Sequence, residues 1–203
     1  MKLSILIPVY NQENLVIKAL DNLPRRYDVE VLACDDGSTD NTLANLLEYK
    51  DKHPDLNLKV YTNGENRGVA YTKNRLLDRA NGEYFHIHDS DDYVYTFNYS
   101  SVIDLLNGAD IYCMDLIVND GSVLAVTDSS KKLYCAQIAR FIRKKFADGI
   151  EFPENVRAGD DWYFAEALLE RNPKTVYTGI QAYHYNFPRE GSLCDLRIKG
   201  ILP

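Results

Sequence analysis

The chain has 203 residues, 45% of them hydrophobic and 11% aromatic, which is enough to bury a substantial core in one domain. A formal net charge of −7 argues against non-specific binding to nucleic acid or to an anionic membrane, although a local patch or a bound cation can still hold an anionic substrate. The four cysteines, Cys34, Cys113, Cys135 and Cys194, show no CxxC spacing, so neither a zinc site nor a disulfide framework is expected.

Apolar runs alternate with helical periods along the first half. Residues 3–9, LSILIPV, form a near-continuous apolar run, as in a strand buried on both faces. Residues 13–23 carry helical spacing at Leu15, Ala19, Leu20 and Leu23. A second strand over 29–34 stops at DDGSTD, a turn and helix-start cluster, and a helix follows over 42–50. A third strand (58–62), a helix (69–80) and a fourth strand (82–88) complete βαβαβαβ. That order predicts an α/β fold with a mainly parallel sheet flanked by helices. Farther on, the pattern predicts a short helix over 100–107, strands over 109–118 and 122–127, an amphipathic helix over 132–146, a helix over 160–171 and a last strand over 175–185. The N-terminal run is too short for a secretory signal, and there is no run of about 18 apolar residues, so the expectation is a cytoplasmic protein without a transmembrane segment.

Two acidic clusters close predicted strands: Asp35-Asp36, and DSDD with Asp89, Asp91 and Asp92. Parallel strands bring both clusters to one sheet edge, the edge where such folds bind ligands. The first strand runs into Tyr10-Asn11-Gln12, without the glycine-rich loops that cradle phosphate, so a dinucleotide fold or P-loop is not expected. A divalent metal on carboxylates is another way to hold phosphate, and alternate acids such as Asp89 and Asp91 can converge on one ion in a tight turn. Asp92 would then point elsewhere or bond a backbone N–H. Taken alone, DSDD reads equally well as a solvated acidic turn, and DDGSTDNT as an ordinary β-to-α turn with an N-cap.

Five stretches in order, SILIPVYNQENLVIKALDNL, VLACDDGSTDNT, ENRGVAYTKNRLLDRANGEYFHIHDSDD, FADGIEFPENVRAGDDWYFAEALL and YHYNFPREGSL, resemble the family 2 glycosyltransferases of the GT-A fold. The resemblance spans roughly residues 3–193. It implies one GT-A domain over 1–203, with a nucleotide-sugar-binding half (about 1–95) and an acceptor-side half (about 96–203). It also implies inverting transfer from a nucleotide-diphospho-sugar, a UDP-sugar first, with Mn²⁺ or Mg²⁺. By resemblance, Pro8, Val9 and Tyr10 with Asp35 and Asp36 hold the nucleoside, Asp89-Ser90-Asp91 matches the DXD motif with Asp91 the metal ligand, and Asp89 faces ribose or metal waters. Arg67, Lys73 and Asn74 fall where family counterparts approach the base or diphosphate. Solvated charges explain Arg67 and Lys73 as readily, and Asn74 reads best as fixing a loop through backbone hydrogen bonds.

Asp160-Asp161 matches the family's acidic dyad before a helix, with Asp161 favoured as the base and Asp160 the alternative. Asp stands at 160 where the family usually has Glu; without the resemblance, both acids would be read as helix N-terminal charges. His86 and His88 stand where family members carry apolar residues; a packed or hydrogen-bonded role is expected for both, before a metal role for His88. His184 is a further candidate metal ligand or phosphate contact, Arg189 a candidate phosphate clamp, and Trp162 either a sugar platform or core. Six basic residues, Lys131, Lys132, Arg140, Arg143, Lys144 and Lys145, make a local positive face, solvated or in contact with an anionic acceptor. The acceptor itself is not legible. A non-catalytic nucleotide-sugar-binding protein and a nucleotidyltransferase are the alternatives, and the latter lacks its glycine-rich, arginine-containing loop.

Overall fold

The computed structural model describes residues 1–127, 137–156, 159–190 and 199. Its first half is built as the apolar runs require. Strands β1 (Leu3–Val9) and β2 (Val29–Asp35) are buried at every residue, because helices cover both faces. β3 (Leu58–Thr62) forms the edge and is only half-buried. Helices α1 (Val16–Asp21), α2 (Thr42–Lys52) and α3 (Val69–Arg79) make the crossovers, and β4 (Tyr84–Ile87) returns to the free side of β1. All three pairings, β1 with β2, β2 with β3 and β1 with β4, are parallel.

The sheet runs in the order β3-β2-β1-β4, then β8 (Arg140–Arg143), β6 (Ile111–Val118), β9 (Thr175–Tyr185) and β5 (Tyr93–Val94), with β7 (Val123–Leu124) beside β6. The chain therefore winds outward from β1 to β3 and then switches back to β4. The crevice beyond β1 and β4 is a topological switch point, where open α/β sheets bind ligands. The pairing of Val9 with Asp35, and of Leu6 with Ile87, brings Tyr10, Asp36 and Asp89 to the same edge.

The second half adds β5 (Tyr93–Val94), α4 (Thr96–Leu105), β6 (Ile111–Val118), β7 (Val123–Leu124), β8 (Arg140–Arg143), α5 (Asp160–Glu170) and β9 (Thr175–Tyr185). β9 pairs parallel to β6 and bends through irregular register, and its far end pairs Tyr93 with His184 and Val94 with Tyr183. β5, two residues long, has no sequence signal of its own. α4 begins four residues earlier than the predicted 100–107, and β7 is shorter than the predicted strand over 122–127.

The amphipathic helix expected over 132–146 is a misreading over its described part. Gln137–Ala139 form a 3₁₀ turn, and Arg140–Arg143 form β8, antiparallel to both β4 and β6. Short apolar runs fit either period, and tertiary context decides. Here β4 and β6 leave a gap that takes a strand, which buries Phe141 and Ile142 on opposite faces. Lys131, Lys132 and Cys135 lie outside the described residues, as does Cys194. Arg143 pairs with Glu83 and the Lys144 ammonium donates to the Ala80 carbonyl, both near the amino end of β4. That part of the basic face is therefore at the sheet edge opposite the acids.

Candidate functional site

β1 and β2 deliver Pro8, Val9, Asp35 and Asp36 to the carboxyl edge, where Tyr10 emerges exposed. The two loops beyond them are latched: Asn11 N–H donates to Ser38 Oγ at 2.9 Å, and Thr39 N–H to Asn11 Oδ1 at 2.9 Å. Asp35 accepts Ser38 N–H and the Thr62 hydroxyl, each at 3.3 Å. Asp36 takes three donors: Asn63 Nδ2 at 2.7 Å, and the backbone N–H groups of Arg67 and Gly68, both at 2.9 Å. Its carboxylate thus organises the loop between β3 and α3. Gly37 is needed beside it, since its φ is +69° and a Cβ would stand 2.3 Å from the Glu65 carbonyl carbon. The Arg67 guanidinium lies exposed over the Tyr71 ring, 4.7 Å from its centroid.

The acidic loop after β4 is shaped by the end of β9. Asp89 N–H donates to Tyr183 Oη at 3.1 Å. Asp92 Oδ1 accepts Asn186 N–H at 2.7 Å, and Asn186 Nδ2 donates to the Asp91 carbonyl at 3.3 Å. Asp92 is therefore the inward acid of the cluster, and Ser90 is buried with it. Arg189 Nε lies 2.6 Å from Asp91 Oδ2, an ionic contact in which the N–H does not aim at the oxygen. Burial pushes the pKa of Asp89 up to about 7, against the pull of Lys73 and with Asp91 adding to it. Burial likewise pushes Asp92 up to about 9, with Asp89 and Asp91 adding. Arg189 and Lys73 compensate the loop's acids only in part, and a bound cation would relieve the rest. Oxygen donors from two carboxylates suit Mg²⁺ or Mn²⁺, which keep water and phosphate in their remaining positions. Among the described residues no group of three or more His, Cys, Asp or Glu side chains is arranged to hold a metal.

The histidines divide. His86 is a packed core residue: Tyr99 Oη–H donates to its Nδ1 at 2.6 Å, and its Nε2–H donates to the Ile138 carbonyl at 2.8 Å. A carbonyl only accepts, so the proton sits on Nε2 and the ring is neutral. His88 is buried edge-on to Tyr183 with neither ring nitrogen partnered among the described residues, and the structure offers no physical account of it. His184 stacks on Tyr93 at 4.3 Å between centroids, and its Nδ1 has no partner among the described residues.

The dyad opens α5. Gly159, at φ 87°, turns the chain so that Asp160 and Asp161 occupy the first turn, where the helix dipole favours negative charge. Lys73 of α3 reaches them both: its Nζ is 2.8 Å from Asp160 Oδ2 and 2.5 Å from Asp161 Oδ1. Lys73 is thus not on a solvated helix face; it is 3% exposed. Burial works against its charge, but Asp161, Asp160 and Asp89 outweigh burial and raise its pKa. Asn74, the next residue, grips the segment that leads to α5. Its Nδ2 donates to the Phe152 carbonyl at 2.9 Å, and its Oδ1 accepts Phe152 N–H at 2.8 Å. Phe152 then stacks on Phe164 of α5 at 3.9 Å. Trp162 is about half exposed beside the dyad. Tyr183 and Asn186, which carry the acidic loop, were not legible as site residues. They lie 94 and 95 residues from their partners, and no local signal marks that contact.

The profile of glycosyl transferase family 2 matches residues 4–162. The poly(ribitol-phosphate) beta-glucosyltransferase of Bacillus spizizenii is 27% identical, over 94% of this chain and 33% of its own length. The poly(ribitol-phosphate) beta-N-acetylglucosaminyltransferase TarS of Staphylococcus aureus is 29% identical, over 94% of this chain and 36% of its own. The chain therefore spans about a third of the length of these curated relatives. The crystal structure of TarS 1–349 with UDP-GlcNAc superposes with a TM-score of 0.76 and 26% identity, covering 95% of this chain and 60% of that one. The mannosyltransferase PcManGT of Pyrobaculum calidifontis, solved with GDP-Man and Mn²⁺, shares the fold at a TM-score of 0.73 and 20% identity, covering 94% and 58%. The βαβαβαβ sheet, the acids at its carboxyl edge and these matches agree: the fold is GT-A, and the chain belongs to glycosyl transferase family 2.

Proposed function

We propose that the chain transfers a sugar from a nucleotide-diphospho-sugar, a UDP-sugar first, to an acceptor hydroxyl by a single inverting displacement. The observation that carries this reading is the pairing of two acid groups on one edge, the Asp89–Asp91 loop and the Asp160–Asp161 dyad, with Lys73 between them. Pro8, Val9, Tyr10, Asp35, Asp36 and Arg67 border the place for the nucleoside. Asp89 and Asp91 would hold Mn²⁺ or Mg²⁺, which when bound supplies positive charge to the leaving diphosphate. Asp161 takes the proton of the acceptor hydroxyl as that oxygen forms its bond to the anomeric carbon. The bond from that carbon to the diphosphate oxygen breaks, and the nucleoside diphosphate leaves with the electron pair. Asp161 is preferred to Asp160 because its side chain is 29% exposed against 9%, so an acceptor can reach it. The relatives named for poly(ribitol-phosphate) make a polyol-phosphate hydroxyl the first acceptor to test.

The test is UDP release from UDP-glucose and UDP-N-acetylglucosamine with Mn²⁺, with and without poly(ribitol phosphate), in the wild type and in Asp161→Asn. The variant should keep its UDP affinity and lose about 100-fold or more in turnover. Full turnover by Asp161→Asn would remove Asp161 from the role, and a wild type that neither binds UDP nor releases it would remove the reading.

A further inference from the structure

Among the described residues Lys73 is the one buried ammonium, and the proposed chemistry does not use it directly. Two adjacent carboxylates at the start of α5 are satisfied by one cation from α3, 87 and 88 residues away in sequence. Its Nζ also lies 5.1 Å from the centroid of the Phe152 ring, so an aromatic ring lies near the charge. From the loop after β4, Asp89 acts on the same ammonium, and from β8 the Arg140 guanidinium acts on Asp161. Gln137 Nε2 holds the Asp161 carbonyl at 3.2 Å, which fixes the backbone of the dyad without touching its carboxylates.

We propose that Lys73 is the positioning residue of the Asp160–Asp161 dyad: by binding one oxygen of each carboxylate it fixes their orientation, and it leaves Asp161 as the member open to an acceptor. The proposal rests on the dyad's role in the transfer reaction set out above. Two carboxylates this close, in a buried site, resist ionising together, and without a cation they would share a proton. Burial already pushes the Asp161 carboxyl above its ordinary range even with Lys73 opposing, and Asp160 adds to the rise. Taking the ammonium away removes the main opposing force. The Asp161 carboxyl would then rise further and ionise less readily, which makes it a poorer proton acceptor. Lys73 does this through Asp161, without needing to touch the donor, which separates the role from a contact with the diphosphate.

The experiment follows the aspartate side-chain carbons by ¹³C NMR across pH 4 to 9, with the Asp161 signal assigned by its loss in Asp161→Asn. In Lys73→Met the midpoint of the dyad should rise by about one pH unit or more, a tenfold change in proton affinity. Lys73→Arg, which keeps the charge, should return it most of the way to the wild type. An unmoved midpoint in a folded Lys73→Met overturns the proposal. If Lys73→Met does not fold, Lys73→Met/Asp160→Asn is compared with Asp160→Asn alone, which removes one buried negative charge from both arms; the same rise is expected, and its absence overturns. UDP affinity by calorimetry should change by less than about twofold, on the same reasoning that Lys73 acts on the dyad and not on the donor. A tenfold loss with the midpoint unmoved assigns Lys73 to the diphosphate instead. Failure of the wild type to release UDP would count against the transferase reading alone, because the titration does not depend on turnover.

Discussion

A single histidine shows how much one side chain contributes here. His86 is fully enclosed, accepts from Tyr99 and donates to the Ile138 carbonyl, and stacks on Phe141 at 5.0 Å. Burial lowers its pKa from 6.5 to about 4, because the charged ring would lose its water. The unfolded chain therefore binds a proton near pH 6.5 that the folded protein refuses until about pH 4. The stability this neutral ring confers is complete above the upper value and is lost as pH falls through the window. About 3 kcal/mol depends on it. Urea denaturation at pH 7 and pH 4.5 should show His86→Phe less stable than the wild type at pH 7, with Tyr99 and Ile138 left unpaired, yet losing less on acidification. Equal losses in the two proteins would mean that His86 is not the group responsible. In the sequence this histidine stands just before the acids, and a packed or hydrogen-bonded role is what its place on the strand suggests. Its packed role depends on Ile138 and Tyr99, which the 3₁₀ turn and α4 bring in, and nothing local announces them.

At the scale of elements, α3 joins the two halves of the chain. Thr72 accepts Asn63 Nδ2 at 2.8 Å, Lys73 holds the dyad, and Asn74 grips Phe152. The helix itself was legible, since its apolar points recur at helical spacing. So were the strands at whose ends the acids lie, because a strand buried on both faces is apolar at nearly every position, with Glu30 in β2 and His86 in β4 as exceptions. The direction each polar side chain of α3 takes was only half legible. Asn74 does fix a loop through backbone hydrogen bonds, as its chemistry suggested, whereas the partners of Lys73 come from a helix nearly ninety residues on. β8 was misread because RFIR has no period long enough to separate strand from helix. Asn74→Ala should unhook the segment before α5, at a cost of about 1–3 kcal/mol for a buried carbonyl and N–H left without partners. Amide exchange at Phe152 should accelerate in that variant, while exchange in β1 and β2 at matched stability stays as in the wild type. Unchanged protection at Phe152 would show that the Phe152–Phe164 stack holds the segment without Asn74.

For the whole molecule, the parallel topology concentrates acids at one edge of a protein that is already negative, with a formal charge of −7. Asp89 and Asp92 are pushed toward neutrality by burial and by their neighbours, and Arg189 meets only one of the acids in the loop. On the proposed reading, such an edge costs stability until a cation and a nucleoside diphosphate bind there, which would link ligand binding to folding. A ligand that binds only the folded chain, at a hundred times its dissociation constant, adds about 2.7 kcal/mol. For a chain of this size each kcal/mol is worth about 2–4 °C in Tm. UDP with Mn²⁺ should therefore raise the melting temperature by about 5–10 °C, with a smaller rise for UDP in a chelator and little for Mn²⁺ alone. Asp91→Ala should abolish the part of the shift that needs the metal and keep the part due to the nucleoside, since Tyr10, Asp35 and Asp36, the proposed nucleoside residues, sit at the ends of β1 and β2. The sign of the change without ligand is informative as well. If the acids strain the free protein, removing Asp91 leaves its Tm level or higher, and a large fall would mean that the Arg189 contact outweighs the repulsion around Asp91. A metal-dependent shift that survives Asp91→Ala would move the cation to acids other than the DSDD loop.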